Sequence, residues 1–221
     1  HAAWNGYTET RELTLPAGDV DFLEVNAGAG SILINGTPNA SDISVKAIIR
    51  VPDDDEDDAR ELIAEELILS LEKKRSKAQL EAYFDQGSWG SRDSAAVDLE
   101  IGIPQGLELF VDDGSGSITI ADVGGDVGID DGSGSIEITG AANVAVDDGS
   151  GSIRISNTSG DVEVEDGSGD IKIRGVAGTV TIDDGSGGID VKDVEQDLEI
   201  VDDGSGSVRI ADIRGTVTRD D

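Results

Sequence analysis

The sequence predicts a mostly β fold: a β-solenoid of ~18-residue coils with a strand-rich N-terminal part carrying one short helix. Three observations predict it. First, Val111-Asp112-Asp113-Gly114-Ser115-Gly116-Ser117-Ile118 is copied along the chain. Further copies open at Asp130, Asp147, Glu165, Asp183 and Asp202, and Asp220-Asp221 opens a seventh. The steps between first acids are 18, 17, 18, 18, 19 and 18 residues. A short fixed period is the mark of a solenoid, in which each repeat is one coil stacked on the next. Second, apolar and polar residues alternate on both sides of every Gly-Ser turn, the period of a strand with one buried face. Third, aromatics make up 3% of the 221 residues, so Val, Ile and Leu must fill the core. An acidic chain poor in aromatics can also be disordered. The strict register of the apolar residues with the repeat argues for folding.

The chain divides into an N-terminal β-rich part, residues 1–106, and regular repeats, residues 107–221. In the first part, Arg11 to Pro16 alternates like a strand and stops at a Pro-Ala-Gly turn. Val25 to Ile34 aligns with Val111 to Ile120 at a constant offset of 86, with Asn26 and Ala27 in place of the paired aspartates, so it reads as a degenerate coil. Ile43, Val45, Ala47 and Ile49 continue the alternation. The acidic run from Asp53 to Asp58 precedes a helical pattern from about Glu56 to Glu66, where acids in the first turn favour the helix dipole. A metal site is the alternative reading of that run. Leu67 to Leu71 and Leu80 to Phe84 form a hairpin with a basic tip, Lys73-Lys74-Arg75-Ser76-Lys77, either a docking point for acidic ladders or a solubilising edge. Gln86 to Ser94, with Trp89, reads as a loop, and Val97 to Ile103 as the strand that leads into the repeats.

Within a coil, Val127, Ile129, Ile136 and Ile138 point inward, while Glu137 and its counterparts Thr119, Arg154, Lys172, Asp190 and Arg209 point outward. A second corner falls near Gly124-Gly125, Ser159-Gly160, Ala177-Gly178 and Arg214-Gly215. Each coil is then two main strands and two corners. Glycine supplies positive φ at the corners, and Ser and Asp bond the turn amides.

The paired acids ask for more. Stacking places one column of Asp112, Asp130, Asp147, Glu165, Asp183 and Asp202 beside another of Asp113, Asp131, Asp148, Asp166, Asp184 and Asp203. Neighbours about 4.8 Å apart repel by ~0.9 kcal/mol in water and ~3.5 kcal/mol at an effective dielectric of 20. A turn needs one capping acid, not two. Calcium takes six to eight oxygens, largely from carboxylates, so these twelve residues are candidate metal ligands. A hydrated, salt-screened column is the alternative.

The formal net charge is −32, with 16 Lys and Arg against 48 Asp and Glu. A nucleic-acid or anionic-membrane surface needs a basic patch, so cations, basic proteins or neutral glycans are the expected partners. No apolar run reaches the ~18 residues that span a bilayer. The chain has no Cys and no Met, and a start at His1 implies removal of an upstream segment, either an export signal or a tag scar. An extracellular or cell-surface location follows from the first reading. With His1 as the only histidine, Ser-His-Asp and Cys-His catalysis are excluded from the folded body, and no enzyme is expected.

The weak N-terminal coil, the segment Ile101 to Leu109 (IGIPQGLEL) and the successive G-S-G-S-I-x-I and G-x-V-x-V coils resemble the DUF4097 family. The resemblance runs from about Leu13 to Asp221. It implies an exported bacterial β-solenoid connected with adhesion, and it carries no catalytic residues. The doubled aspartate goes beyond the family pattern. In the G-G-x-G-x-D calcium repeats the acids follow the glycines, whereas here they precede them, so that ligand scheme does not transfer.

These features point to a secreted structural or adhesive subunit, stacked head-to-tail through its unfinished last coil into fibres. The alternative is a monomeric surface module for glycan or ice. The mixed outward column argues against ice binding, and the candidate aromatics Trp4, Tyr7, Tyr83 and Trp89 all lie outside the repeats.

Overall fold

The computed structural model describes residues 6–52, 55–85 and 95–220. The N-terminal part forms β1 (Tyr7–Pro16), β2 (Phe22–Ala27), β3 (Ile32–Thr37), β4 (Asp42–Val51), α1 (Glu56–Glu66), β5 (Leu67–Lys74), β6 (Lys77–Phe84) and β7 (Ala96–Pro104). The expected loop at Gln86 to Ser94 lies outside the described residues. The repeats give β8 (Glu108–Asp113), β9 (Gly116–Ala121), β10 (Val127–Asp131), β11 (Gly134–Thr139), β12 (Val144–Asp148), β13 (Gly151–Thr158) and β14 (Val162–Asp166). They continue with β15 (Gly169–Val176), β16 (Val180–Asp184), β17 (Ile189–Val194), β18 (Leu198–Asp202), β19 (Val208–Ile213) and β20 (Val217–Arg219).

The strands build two ten-stranded sheets that face each other across a narrow core. The first runs β1-β4-β7-β3-β9-β11-β13-β15-β17-β19, and the second β5-β6-β2-β8-β10-β12-β14-β16-β18-β20. Each coil gives one strand to each sheet, so coil-to-coil pairing is parallel throughout the repeats. The degenerate coil sits directly against the first regular one. Val25 pairs with Val111, Asn26 with Asp112 and Ile32 with Ile118, the offset of 86 read from the sequence.

Beyond it the chain turns antiparallel: β1 pairs with β4, β4 with β7, and β5 with β6. The helix α1 links β4 to β5 and buries Ala59, Leu62 and Ile63. Its bounds are those expected. Asp55 caps it by accepting from the amides of Asp57 at 2.9 Å and Asp58 at 3.4 Å, which gives the acidic run its role at a helix start.

The core is the aliphatic ladder the alternation requires. Ile118, Ile136, Ile153, Ile171 and Ile189 stack in one sheet and Val111, Ile129, Val146, Val164 and Ile182 in the other, all buried. The uneven steps have local causes. The 17-residue step is absorbed at the second corner, where Thr139 to Val144 is one residue shorter than the Ala121 to Val127 segment it stacks on. The 19-residue step makes a β-bulge: Ile182 pairs with Ile200 and Asp183 with Asp202, so Val201 is extruded and 42% exposed.

One glycine column sets how closely the corners stack. Gly134 and Gly151 have φ of 154° and 151°, and a Cβ on Gly151 would lie 1.5 Å from the Gly134 carbonyl oxygen. Only a residue without a side chain can stand there.

Candidate functional site

The acidic corner is the one feature that backbone geometry alone does not explain. Val111 points into the core, so the pleat turns Asp112 outward and Asp113 inward again. The same holds at every regular coil. Asp112, Asp130, Asp147, Glu165 and Asp183 are exposed on the outer face of the second sheet. Asp113, Asp131, Asp148, Asp166 and Asp184 are buried at 3%, 2%, 1%, 5% and 0% exposure. The two columns therefore do not converge on shared points. Among the described residues, no three acidic side chains are grouped as a metal ion would need.

In the inner column from Asp131 to Asp184, one oxygen of each carboxylate caps its own corner. Oδ1 of Asp131, Asp148, Asp166 and Asp184 accepts from the amides of Ser133, Ser150, Ser168 and Ser186 at 3.3, 3.1, 3.0 and 3.0 Å. The other oxygen, Oδ2, finds no hydrogen-bond partner, and neither oxygen of Asp113 does. Strand register stacks these groups on one another, Asp131 on Asp113, Asp148 on Asp131, and so on to Asp184.

Burial without a counter-ion favours the neutral acid. It pushes Asp113 up to about 7, the charge of Asp131 adding to the effect. Asp131 and Asp166 are each raised to about 6, again through burial first. Asp148 and Asp184 move the same way, with the Ser150 and Ser186 amides pulling against it. The inner column is thus a stack of buried carboxyls whose neutral form is favoured by burial.

In the bulged coil the roles change. Asp202 takes over the cap, accepting from the Gly204 amide at 2.8 Å, and Asp203 forms an ion pair with Arg219. At the other end, Ala27 follows Asn26, the partner of Asp112, and pairs with Ala82 one rung further out, so no acid continues the inner column there.

The basic hairpin tip lies far from both acid columns. Lys77 pairs with Phe22, at the strand ends opposite Asp112. Lys77 binds Glu24 at 2.7 Å and Lys73 approaches Asp19 at 3.6 Å, so these two lysines pair within the N-terminal part. Of the aromatics considered for glycan contact, Trp4 and Trp89 lie outside the described residues. Tyr7 instead accepts from Arg60 Nε at 3.2 Å, and Tyr83 is half-buried on β6.

A second polar column went unread in the sequence. At the far corner, Asp126 Oδ1 accepts from the Asn143 amide at 3.1 Å, and Asn143 Oδ1 from the Asp161 amide at 2.9 Å. Asp161 Oδ1 then accepts from the Thr179 amide at 2.8 Å and its hydroxyl at 3.0 Å, which lowers the Asp161 pKa. Each clamp ties one coil to the next. The signal was there: polar residues recur at 126, 143, 161, 179 and 197 with the period of the acids.

These features define a two-sheet parallel β-solenoid with an antiparallel N-terminal end and a column of buried acids along one corner. The chain belongs to the Toastrack DUF4097 family, whose model matches residues 4–216. No curated protein matches it. Solved structures of similar fold include a "putative cell adhesion protein" from Clostridium sporogenes, with 13% identity, TM-score 0.40, and coverage of 96% of this chain and 99% of that one. A "putative lipid binding protein" from Parabacteroides distasonis has 15% identity and TM-score 0.46 over 97% and 95% of the two chains. A "putative adhesin" from Bacteroides fragilis has 15% identity and TM-score 0.41 over 97% of each.

Proposed function

We propose that this chain is a non-enzymatic structural or adhesive solenoid of the cell surface, which stacks end to end with other copies. The observation that carries the reading is uniformity. From coil to coil the outer acids of the second sheet and the buried acids recur at every regular corner rather than gathering on one coil as a catalytic cluster does. Such a surface suits an extended contact or a spacer.

Stacking is supported by the repeat itself, in which each inner coil pairs in parallel with a like coil on either side, and the last described coil is the edge that offers the contact. There Ile210 and Val217 are 37% and 45% exposed, although their equivalents one coil earlier, Val191 and Leu198, are buried. The strands β19 and β20 each have a partner on one side only. A second copy that pairs with these edges covers both the backbone and the apolar ladder. Calcium enters as a counter-ion that screens the exposed carboxylates rather than as a coordinated ion. No helix among the described residues is long and apolar enough to cross a membrane.

The test is negative-stain microscopy of the purified chain at physiological ionic strength, with and without calcium. Filaments one solenoid wide are expected, and Val217→Asp should abolish them. Monodisperse single particles under every condition would overturn the reading.

A further inference from the structure

Apart from Arg219 on the last strand β20, the Lys and Arg carried by the strands of the repeats lie on one sheet. The inner and outer positions of β8, β10, β12, β14, β16 and β18 include no Lys or Arg at all. On the first sheet, by contrast, Arg154, Lys172, Arg174, Lys192 and Arg209 all stand on the outer face of β13 to β19. Strand register puts Arg154 beside Lys172 and Arg174 beside Lys192, so four of these cations form a block two coils deep in each column. Arg154, Lys172 and Arg209 border an open, polar groove of about 560 Å³ along the sheet, which Glu137, Asp170 and Asp190 also line. Asp190 answers part of the charge, with Arg174 at 3.2 Å and Lys172 at 3.9 Å. Lys192 lies 3.7 Å from Asp212 and 3.9 Å from Asp193, which leaves Arg154 and Arg209 without an ion pair among the described residues. In a chain of net charge −32 this strip is an exception that needs a use.

The opposite face offers its complement. The exposed acids of the second sheet, Asp112, Asp130, Asp147, Glu165 and Asp183, present one carboxylate per coil. Beside them lie Phe110, Gly128 and Ala145, a shallow apolar floor. From Asp147 to Asp183 the acids share their coils with Arg154, Lys172 and Lys192, so cations and carboxylates there recur at one spacing, about 4.8 Å per rung. Long Arg and Lys stems can lie on an apolar floor while their heads reach carboxylates.

We propose that the basic strip is a lateral docking surface for a second copy of this chain, which presents its acidic outer face with the coils in register. The contact is heterologous, so it does not close and builds side-by-side rafts of solenoids. It is separate from end-to-end stacking, because it uses sheet faces instead of strand edges. Salt tunes it in both directions. At low ionic strength the overall repulsion between two acidic bodies keeps copies apart. Near 0.15 M, where the screening length is about 8 Å, only the close contacts survive, and at 1 M they too are screened.

The test is sedimentation of the full chain carrying Val217→Asp, which removes end-to-end stacking, across a NaCl series. Concentration-dependent association that peaks near physiological salt is expected. The variant Arg154→Glu/Lys172→Glu/Arg174→Glu should sediment as a monomer, and so should Asp130→Lys/Asp147→Lys/Glu165→Lys. Mixing the two variants should restore association, since the acidic first face of one then meets the basic second face of the other. Circular dichroism confirms that each variant is folded. The proposal is overturned if the chain is monomeric at every salt concentration, or if either charge-reversed variant associates alone as the parent does. It is equally overturned if folded variants fail to associate when mixed. Failure of filaments to form, with lateral association intact, would count against the stacking alone.

Discussion

Asp166→Asn separates the inner acid column from every other charge on the molecule. Asp166 is 5% exposed, its Oδ1 caps the corner through the Ser168 amide at 3.0 Å, and its Oδ2 has no partner. Asparagine keeps the shape and the capping oxygen and removes the charge. In the folded chain burial raises the Asp166 pKa from 3.8 to about 6. At about 1.4 kcal/mol per pKa unit, ionised Asp166 therefore weakens the fold by about 3 kcal/mol above pH 6. The sign follows from the direction. A raised folded pKa gives stability that is complete below about pH 4 and lost as pH rises through 6. The parent chain should thus grow more stable on acidification from pH 8 to pH 5, the reverse of common acid denaturation. In Asp166→Asn that gain should shrink, so the variant is favoured relative to the parent by about 3 kcal/mol more at pH 8 than at pH 4. Any cost of burying an amide is the same at both pH values and drops out. The assay is urea unfolding followed by circular dichroism at half-unit pH steps, compared through midpoints because repeat arrays need not unfold in one step. Equal effects of the substitution at pH 8 and pH 4 would refute the reasoning, as would a parent midpoint that falls steadily from pH 8 to pH 5.

Gly151→Ala sets a Cβ 1.5 Å from the Gly134 carbonyl oxygen; a loss above about 4 kcal/mol is expected, seen as proteolysis within the coils that follow. Asp161→Ala removes the clamp to Thr179, and because the group is exposed the loss should be only about 1 kcal/mol in the same urea assay. Asp55→Ala leaves α1 uncapped and should cost about 1 kcal/mol. EDTA should leave the thermal midpoint unchanged at physiological ionic strength, whereas a drop of several degrees would show a coordinated ion.

The repeat was legible because one period carries three separate signals: apolar alternation, corner glycines and paired acids. The helix was legible because Asp55 and the acids after it mark a start, and the offset of 86 placed the degenerate coil beside Val111. The antiparallel end was harder. Nothing local in Asp42 to Val51 says that this strand lies between β1 and β7, since that pairing joins residues 54 positions apart, as Lys46 and Glu100 show. The acid columns went half-read. Counting one residue from Val111 puts Asp112 outside and Asp113 inside, but treating the pair as one motif hid the alternation. What the sequence could not show is that Oδ2 of the inner acids lacks a partner, because that depends on how closely the corners stack.

The direction of the strands has a mechanical meaning. They run across the long axis, so the backbone hydrogen bonds between coils point along it. A pull on the two ends loads the bonds of one whole coil together, in tension. When that coil yields, it releases about 18 residues, or roughly 60 Å of extended chain, in place of a rung about 4.8 Å high. The next coil then takes the load. A tether built this way gives way in steps, and each step lowers the force on what it holds.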